Sequence, residues 1–515
     1  MSVDLSSPPG AVAARRPARE GRVRPSAQWL AVMGLTVLAA VLRFATLTHQ
    51  SLWFDEAQAV HEMRLSLGAM LHAWSANEPN PPLYFVVGWL WTHVFGAGAA
   101  GLRSLSAVIG TATVPLVYLA ARELVSRRAS LFAAALVTLS PFMIWYAQEA
   151  REYALLAALS AASLLFFARV WRAPAGRRDL IWWTVFSGLA LLTQYFALFL
   201  IGVQALLLLY RRRDAGIVLA LGALAVVEGA LIPHLVAHQS HPAGWIDTFP
   251  LSVRIRQVPV AFGFSPQHQS HTALSYGLLA GAVLVGAMIV LLLVGADGPE
   301  LRGAGLAGGL AAVVLLVPLV FALAGHDYYE PRALIPAVIP LAVAVGAACA
   351  VRDARVAGAA LAVLLGALFV YAAVKITTDH RYQRADWNGV AAALGPAPGT
   401  RAIAAYDGTF ATAPLAVTMP GVAWTGPDQV PQVSQAPVTV TEVDVVGDVG
   451  QSVRAHLPGG VRLRSSRRVD NYLVYRFALR RPWRAVTPRQ IGQSAAEWVG
   501  PAVSAPAVLI QSAAR

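Results

Sequence analysis

Two adjacent carboxylates, Asp55 and Glu56, follow directly on the first long apolar run of a chain that is otherwise mostly hydrocarbon. A carboxylate just outside a bilayer can accept a proton from a hydroxyl or hold a cation. Trp53 and Phe54, in front of the pair, suit the headgroup level. The plainer alternative is a solvated loop charge that marks the end of a span. Further chemistry is spaced along the chain at similar boundaries. Gln148-Glu149-Ala150-Arg151-Glu152-Tyr153 gathers acids and a base, and Tyr328-Tyr329-Glu330-Pro331-Arg332 ends on an arginine in front of another apolar run. Glu149 reads either as a second acid that holds a cation or orients Arg151, or as an ion-pair partner on a helix end. His234, His238, His241, His268 and His271 lack the carboxylates of a closed metal site and read as loop side chains, and His61 and His72 as interfacial ones.

Composition places these groups in a membrane protein. Hydrophobic residues make up 57% of the chain and charged ones 13%, against roughly 25% charged in a soluble domain. The net charge of +13 comes from short basic clusters between apolar runs, the pattern of cytoplasmic loops. No basic stripe interleaved with stacking aromatics is present, which excludes nucleic acid as a partner. The single Cys349 lies in an apolar run, so there is no disulfide framework.

The elements that must position the acids follow from the apolar runs. Residues 1–27, rich in Ala, Pro and Arg, are expected to be disordered and cytoplasmic. The run 28–47 is too long for a signal-peptide core and reads as a retained span. Residues 48–101 form an outside loop with an amphipathic stretch over 57–74. The apolar stretch 81–95 falls short of the ~20 residues a crossing needs. Were it to cross, Arg127-Arg128 and Arg172–Arg178 would face outside, so it is read as an interfacial helix. Further spans are expected at 102–124, 131–146, 154–171, 180–193, 196–210, 217–232, 274–295, 304–324, 333–350 and 356–374, with a second outside loop at 234–273. The expectation is thus a transmembrane domain over 28–375 with about eleven transmembrane helices and an extracytoplasmic C-terminus.

From Lys375 the composition becomes that of a soluble domain. A small α/β domain over 376–485 is expected, with Asp386 capping a short helix that buries Trp387. Strands are read at 401–406, 438–446, 461–464 and 472–479, a short helix at 452–457, and a tail over 486–515.

Taken in order, SLWFDEA (51–57), NPPLYF (80–85), SPFMIWYAQEAREYAL (140–155), LLTQYFALFL (191–200), YYEPRALIPAVIPL (328–341) and RADW (384–387) resemble the GT-C class of membrane glycosyltransferases. The likeness is to the bacterial branch similar to dolichyl-phosphate-mannose protein mannosyltransferases and aminoarabinose lipid A transferases, and it covers roughly residues 28–400. Gln194 departs from it, since related sequences usually carry His there.

The resemblance implies an inverting transferase in the bacterial plasma membrane. It would use a polyprenyl-phosphate-linked sugar donor and a lipid, glycan or protein acceptor on the extracytoplasmic face. Asp55 aligns with the family's first-loop acid and is the candidate general base, with Glu56 as second choice. Arg332, beside Tyr328 and Tyr329, is the candidate clamp on the donor phosphate, unless it snorkels from its span. Glu149, Arg151 and Tyr195 are candidate supports, and a divalent cation is left open, with Asp55 and Glu149 as its ligands. The rival class is a transporter or flippase of lipid-linked sugars, which would carry more ionisable residues within its spans.

Overall fold

The first span is α1, Ala27–Phe44. The computed structural model describes residues 27–172, 176–239, 246, 249–266, 271–406, 409–422, 436–454, 456–500 and 506–513. The N-terminal segment expected to be disordered lies outside them. Arg43, at the end of α1, is buried and donates to the carbonyls of Ala39, Thr138 and Val137, so its charge is hydrogen-bonded where water is excluded.

The loop that follows folds into three helices, α2 (Phe54–Met63), α3 (Leu67–Asn77) and α4 (Leu83–Phe95). The amphipathic stretch 57–74 is split because Ser66 starts a new helix, its hydroxyl accepting the Ala69 N–H at 3.4 Å. With 13 residues, α4 is about 20 Å long, less than the ~30 Å hydrocarbon core. Its Tyr84 and Phe85 pack on Leu52, Val60, Met63, Met70 and Leu102.

Next come α5 (Ala99–Leu124), α6 (Arg127–Leu139), α7 (Pro141–Ala147) and α8 (Tyr153–Arg172). The third span expected from sequence is therefore broken, with α6 and α7 meeting at 57°. Pro141 supplies no N–H, and the Ser140 hydroxyl caps Met143 at 3.3 Å, a combination that ends one helix and starts another. The remaining bundle is α9 (Arg177–Leu191), α10 (Ala197–Arg211), α11 (Ala215–Gln239), α12 (Leu251–Gly263), α13 (His271–Gly295), α14 (Gly298–Leu323), α15 (Val338–Ala350) and α16 (Arg355–Thr378). Where 234–273 is expected to be loop, α11 runs on to Gln239 and α12 forms.

Among the described residues, seven helices are long and apolar enough to cross a membrane, or eight with the bent pair counted as one span. The chain is a multi-pass membrane protein of mostly helical fold. Of the expected crossings, α9, α10 and the run Ile335–Ala350 are too short to meet that test. Helices approach closely through small residues, as expected where lipid gives no hydrophobic drive between them. A Cβ at Gly346 of α15 would stand 2.6 Å from the Ala129 carbonyl oxygen of α6.

After α16 the chain forms α17 (Trp387–Leu394), β1 (Arg401–Ala405), α18 (Thr409–Thr418), β2 (Val438–Asp448), β3 (Ser452–Val453), β4 (Val461–Val469) and β5 (Tyr472–Val486). It closes with α19 (Pro488–Trp498), β6 (Val499–Gly500) and β7 (Ala507–Gln511). The sheet order is β4-β5-β2-β1-β7, with β1 and β2 parallel and the other pairs antiparallel. One face packs Ile491, Ala495 and Trp498 of α19, and the other packs α17 and α18.

Two expectations fail here. Residues 452–453 are a strand paired with β6 rather than the start of a helix. The expected tail is part of the domain: Thr487 and Gln490 form a capping box, α19 buries an i, i+4, i+7 stripe, and β7 pairs with β1.

Candidate active site

Asp55 lies in the first turn of α2, where a carboxylate is favoured by the helix dipole. Arg332 reaches it from the loop ahead of the run Ile335–Ala350, Nη1 donating to Asp55 Oδ2 at 3.3 Å. The guanidinium also stands over the rings of Trp53 and Tyr153, at 5.5 and 6.0 Å, and 4.0 Å from Glu330. Both side chains of the Asp55–Arg332 pair remain partly open, at 20% and 19% exposure.

One residue further along the helix, a rotation of about 100°, Glu56 points into the protein and is fully buried. Both its oxygens are taken by Arg103 of α5, Nε at 2.7 Å and Nη2 at 2.5 Å, and Oε1 also accepts the Ala150 N–H at 2.9 Å. Arg103 donates in addition to the carbonyls of Leu47, Gln50 and Ser51. Burial drives the Glu56 carboxyl up, but the Arg103 and Arg384 charges and the hydrogen bonds outweigh it, and the net shift is downward. Glu56 therefore braces the loop, and the expectation that it stands in as base is corrected: no oxygen faces an opening.

The 148–153 segment is fixed in the same way. Gln148 donates to Leu42 O, Arg43 O and Thr46 Oγ1 of the α1 end. Glu149 is buried and receives Arg384 Nη2 at 2.6 Å, while its Oε1 has no hydrogen-bond partner. Burial raises its carboxyl, with Arg384 opposing and Glu56 adding to the rise. It does not orient Arg151, as the sequence had allowed. Arg151 is held bidentately by Glu78 at 2.9 Å and stands 3.1 Å from Glu152. Glu152, pushed up to about 7 chiefly by burial, accepts from Asn80.

The tyrosines separate. Tyr328 is half exposed and Tyr329 buried in an apolar cluster with Val258 and Leu334. The Tyr329 carbonyl accepts from Arg254, which also grips Asp327 bidentately. This ion pair fixes the backbone leading to Arg332. Tyr195 stands apart, its hydroxyl donating to Leu231 O at 3.5 Å. His234 stacks on Trp74 and bonds the Glu78 carbonyl, while His241 and His268 lie outside the described residues.

Asp55 and Glu149 each face a guanidinium, and among the described residues no three His, Cys, Asp or Glu side chains are grouped to hold a metal ion.

Sequence reasoning missed Arg103, Arg384 and Tyr153. Arg103 carried a signal, since an arginine in the first turn of an apolar span needs a buried partner. Arg384 lies in the RADW segment, where the Asp-Trp beside it is the more conspicuous pair. Its guanidinium stands 4.2 Å from the Trp145 ring.

Residues 79–236 match the family model described as dolichyl-phosphate-mannose-protein mannosyltransferase. The whole fold is similar to that of ArnT from Cupriavidus metallidurans bound to undecaprenyl phosphate, with a TM-score of 0.52 at 13% identity over 88% of this chain and 98% of that one. ArnT from the same organism in the apo state gives 0.40 at 16% identity over the same shares. The Saccharomyces cerevisiae protein O-mannosyltransferase Pmt1-Pmt2 complex bound to the sugar donor gives 0.32 at 20% identity, over 42% of this chain and 34% of that one. No curated protein matches the sequence. The match to the mannosyltransferase family model over 79–236 thus lies within a membrane fold similar to that of ArnT.

Proposed function

We propose that this protein transfers a sugar from a polyprenyl-phosphate donor to an acceptor hydroxyl at the membrane surface, with inversion and with Asp55 as general base. The donor class comes from the relatives, whose structures carry undecaprenyl phosphate or a sugar donor. The observation that carries the reading is the Asp55–Arg332 pair, open on both sides, beside Glu56, Glu149 and Arg151, whose pairs are closed.

The chemistry needs a carboxylate for the acceptor proton and a cation for the leaving phosphate. Asp55 takes the proton as the acceptor oxygen forms its bond to the anomeric carbon. The bond from that carbon to the phosphate oxygen breaks on the opposite face, and its electron pair leaves with the polyprenyl phosphate. Arg332 stabilises the charge that develops there, since a guanidinium grips phosphate oxygens in a fork geometry. Trp53 and Tyr153, under the guanidinium, hold its plane and shield it from water. Glu330, 4.0 Å away, helps to orient it. The acceptor approaches over the face that carries α2, α3 and α4, and the reading places this face and the C-terminal domain outside the cytoplasm.

The test is donor consumption by the purified protein against a panel of polyprenyl-phosphate sugars. Wild type should consume at least one, and Asp55→Asn should lose about a hundredfold in kcat, the lower range of general-base contributions, with unchanged melting. Full turnover by Asp55→Asn would remove the base from the mechanism.

A further inference from the structure

The loop that presents Asp55 is gripped by the C-terminal domain. Ser51 donates its hydroxyl hydrogen to Asp386 Oδ1 at 3.2 Å and accepts the Asn388 N–H at 3.0 Å. Gln50 Oε1 accepts the Arg384 N–H at 2.9 Å. The Phe54 ring lies 5.2 Å from that of Phe410, on α18, and Val417 of the same helix packs against the cluster that holds Leu52 and Val60. From the other side Arg103 takes the carbonyls of Leu47, Gln50 and Ser51.

From these contacts we infer that the C-terminal domain is a working part of the catalytic site, a latch that positions Asp55 through Ser51 and Phe54. Three features distinguish it from mere packing. The polar contacts fall on residues 50 and 51, directly in front of the carboxylate. The Ser51 hydroxyl, buried to 3% exposure, uses both its donor and its acceptor on the latch. Asp386 also caps α17 through the Gly389 N–H at 2.9 Å, so one carboxylate ties the catalytic loop to the start of the domain. Two residues earlier, Arg384 reaches Glu149 on the opposite wall of the site, so residues 384–388 bridge both walls. The domain touches none of the reacting atoms in this reading. Asp386, Asn388 and Phe410 are positioning residues, and a base displaced by about 1 Å loses on the order of a hundredfold in rate.

The inference rests on the transfer reading for its activity arm, and a second arm is independent of it. In full-length protein, Ser51→Ala and Asp386→Ala should each lower kcat by about tenfold or more with the donor KM changed by less than about twofold. Asp386→Asn, which keeps an acceptor oxygen and a good cap, should recover most of the loss. In the same preparations, Asp386→Ala should speed amide hydrogen exchange over residues 51–58, while α5 and α8 exchange as in wild type. Wild-type kcat in both alanine variants, or unchanged exchange over 51–58, overturns the latch. A wild-type protein that consumes no donor in the panel fails the transfer reading instead, and the exchange arm then decides the latch alone.

Discussion

Replacing Glu56 by glutamine keeps the shape of the side chain and removes the charge that faces Arg103. The guanidinium is buried to 1% exposure and retains the carbonyls of Leu47, Gln50 and Ser51, so it is not stranded without acceptors. The two charge-assisted contacts to Glu56, at 2.7 and 2.5 Å, become one neutral contact and one clash of amide hydrogens with a donor. Removing one partner of a buried ion pair costs about 3–5 kcal/mol. The retained carbonyls put Glu56→Gln near the lower end, about 3 kcal/mol. A melting curve in detergent should therefore shift down by several degrees. Turnover per folded molecule should fall far less than in Asp55→Asn, whose carboxylate is in a partly open pair. Glu56→Leu combined with Arg103→Met should recover much of the lost stability, because a buried pair replaced by apolar groups is often neutral or better. A Glu56→Gln protein that melts as wild type yet transfers no sugar would refute this division and return Glu56 to the chemistry.

Two further outcomes follow from the same geometry. Arg332→Lys should lose most of the turnover while keeping the charge, because an ammonium cannot reproduce the guanidinium fork, and an unchanged kcat would mean that Arg332 merely snorkels. Glu62, buried beside Glu78 and raised from 4.5 to about 8 mainly by burial, binds its proton more tightly folded than unfolded. Stability should therefore fall as pH rises between those values, by up to about 1.4 kcal/mol per pH unit, and Glu62→Gln should melt higher than wild type at pH 8.5 but not at pH 4, as measured in detergent; equal melting at both would put the proton elsewhere.

How far the sequence reaches can be judged residue by residue. The apolar runs are legible because a span must be nearly continuous hydrocarbon, and Asp55 stands out because it follows one directly. The role of Glu56 is not, because its partner is 47 positions away on another helix and nothing in an Asp-Glu pair says which acid turns inward. Helix α12 escapes notice because Arg254 and Arg256 interrupt it and Pro259 lies within it. Yet Arg254 is the residue that clamps Asp327 below Tyr329. The missed α19 shows the converse case. Its capping box and its i, i+4, i+7 stripe of Ile491, Ala495 and Trp498 are both legible in the sequence, and only the sheet face that buries the stripe is not.

The concentration of buried ion pairs at one end of the bundle has a physical rationale of its own. Loops 47–56, 78–80, 148–152 and 327–332 lie outside the long helices, so helix packing in a membrane does not fix them. Glu56–Arg103, Glu78–Arg151 and Glu149–Arg384, buried on both sides, and Asp327–Arg254, buried on the arginine side, each join two such segments or a segment to a helix. Buried pairs contribute little net stability compared with apolar replacements, but losing one partner is costly, so they enforce one arrangement of the loops. Within that frame Asp55–Arg332 differs, being longer, at 3.3 Å, and open on both sides. A donor phosphate introduces negative charge, and the cation placed to meet it must be one whose present partner can give way without leaving a buried carboxylate unpaired. Arg103, Arg151 and Arg384 fail that requirement, since Glu56, Glu78 and Glu149 are all buried. In the proposed transfer Arg332 meets it, because the partner it would release is Asp55, which the proposal places beside the acceptor with its lone pairs available for a proton.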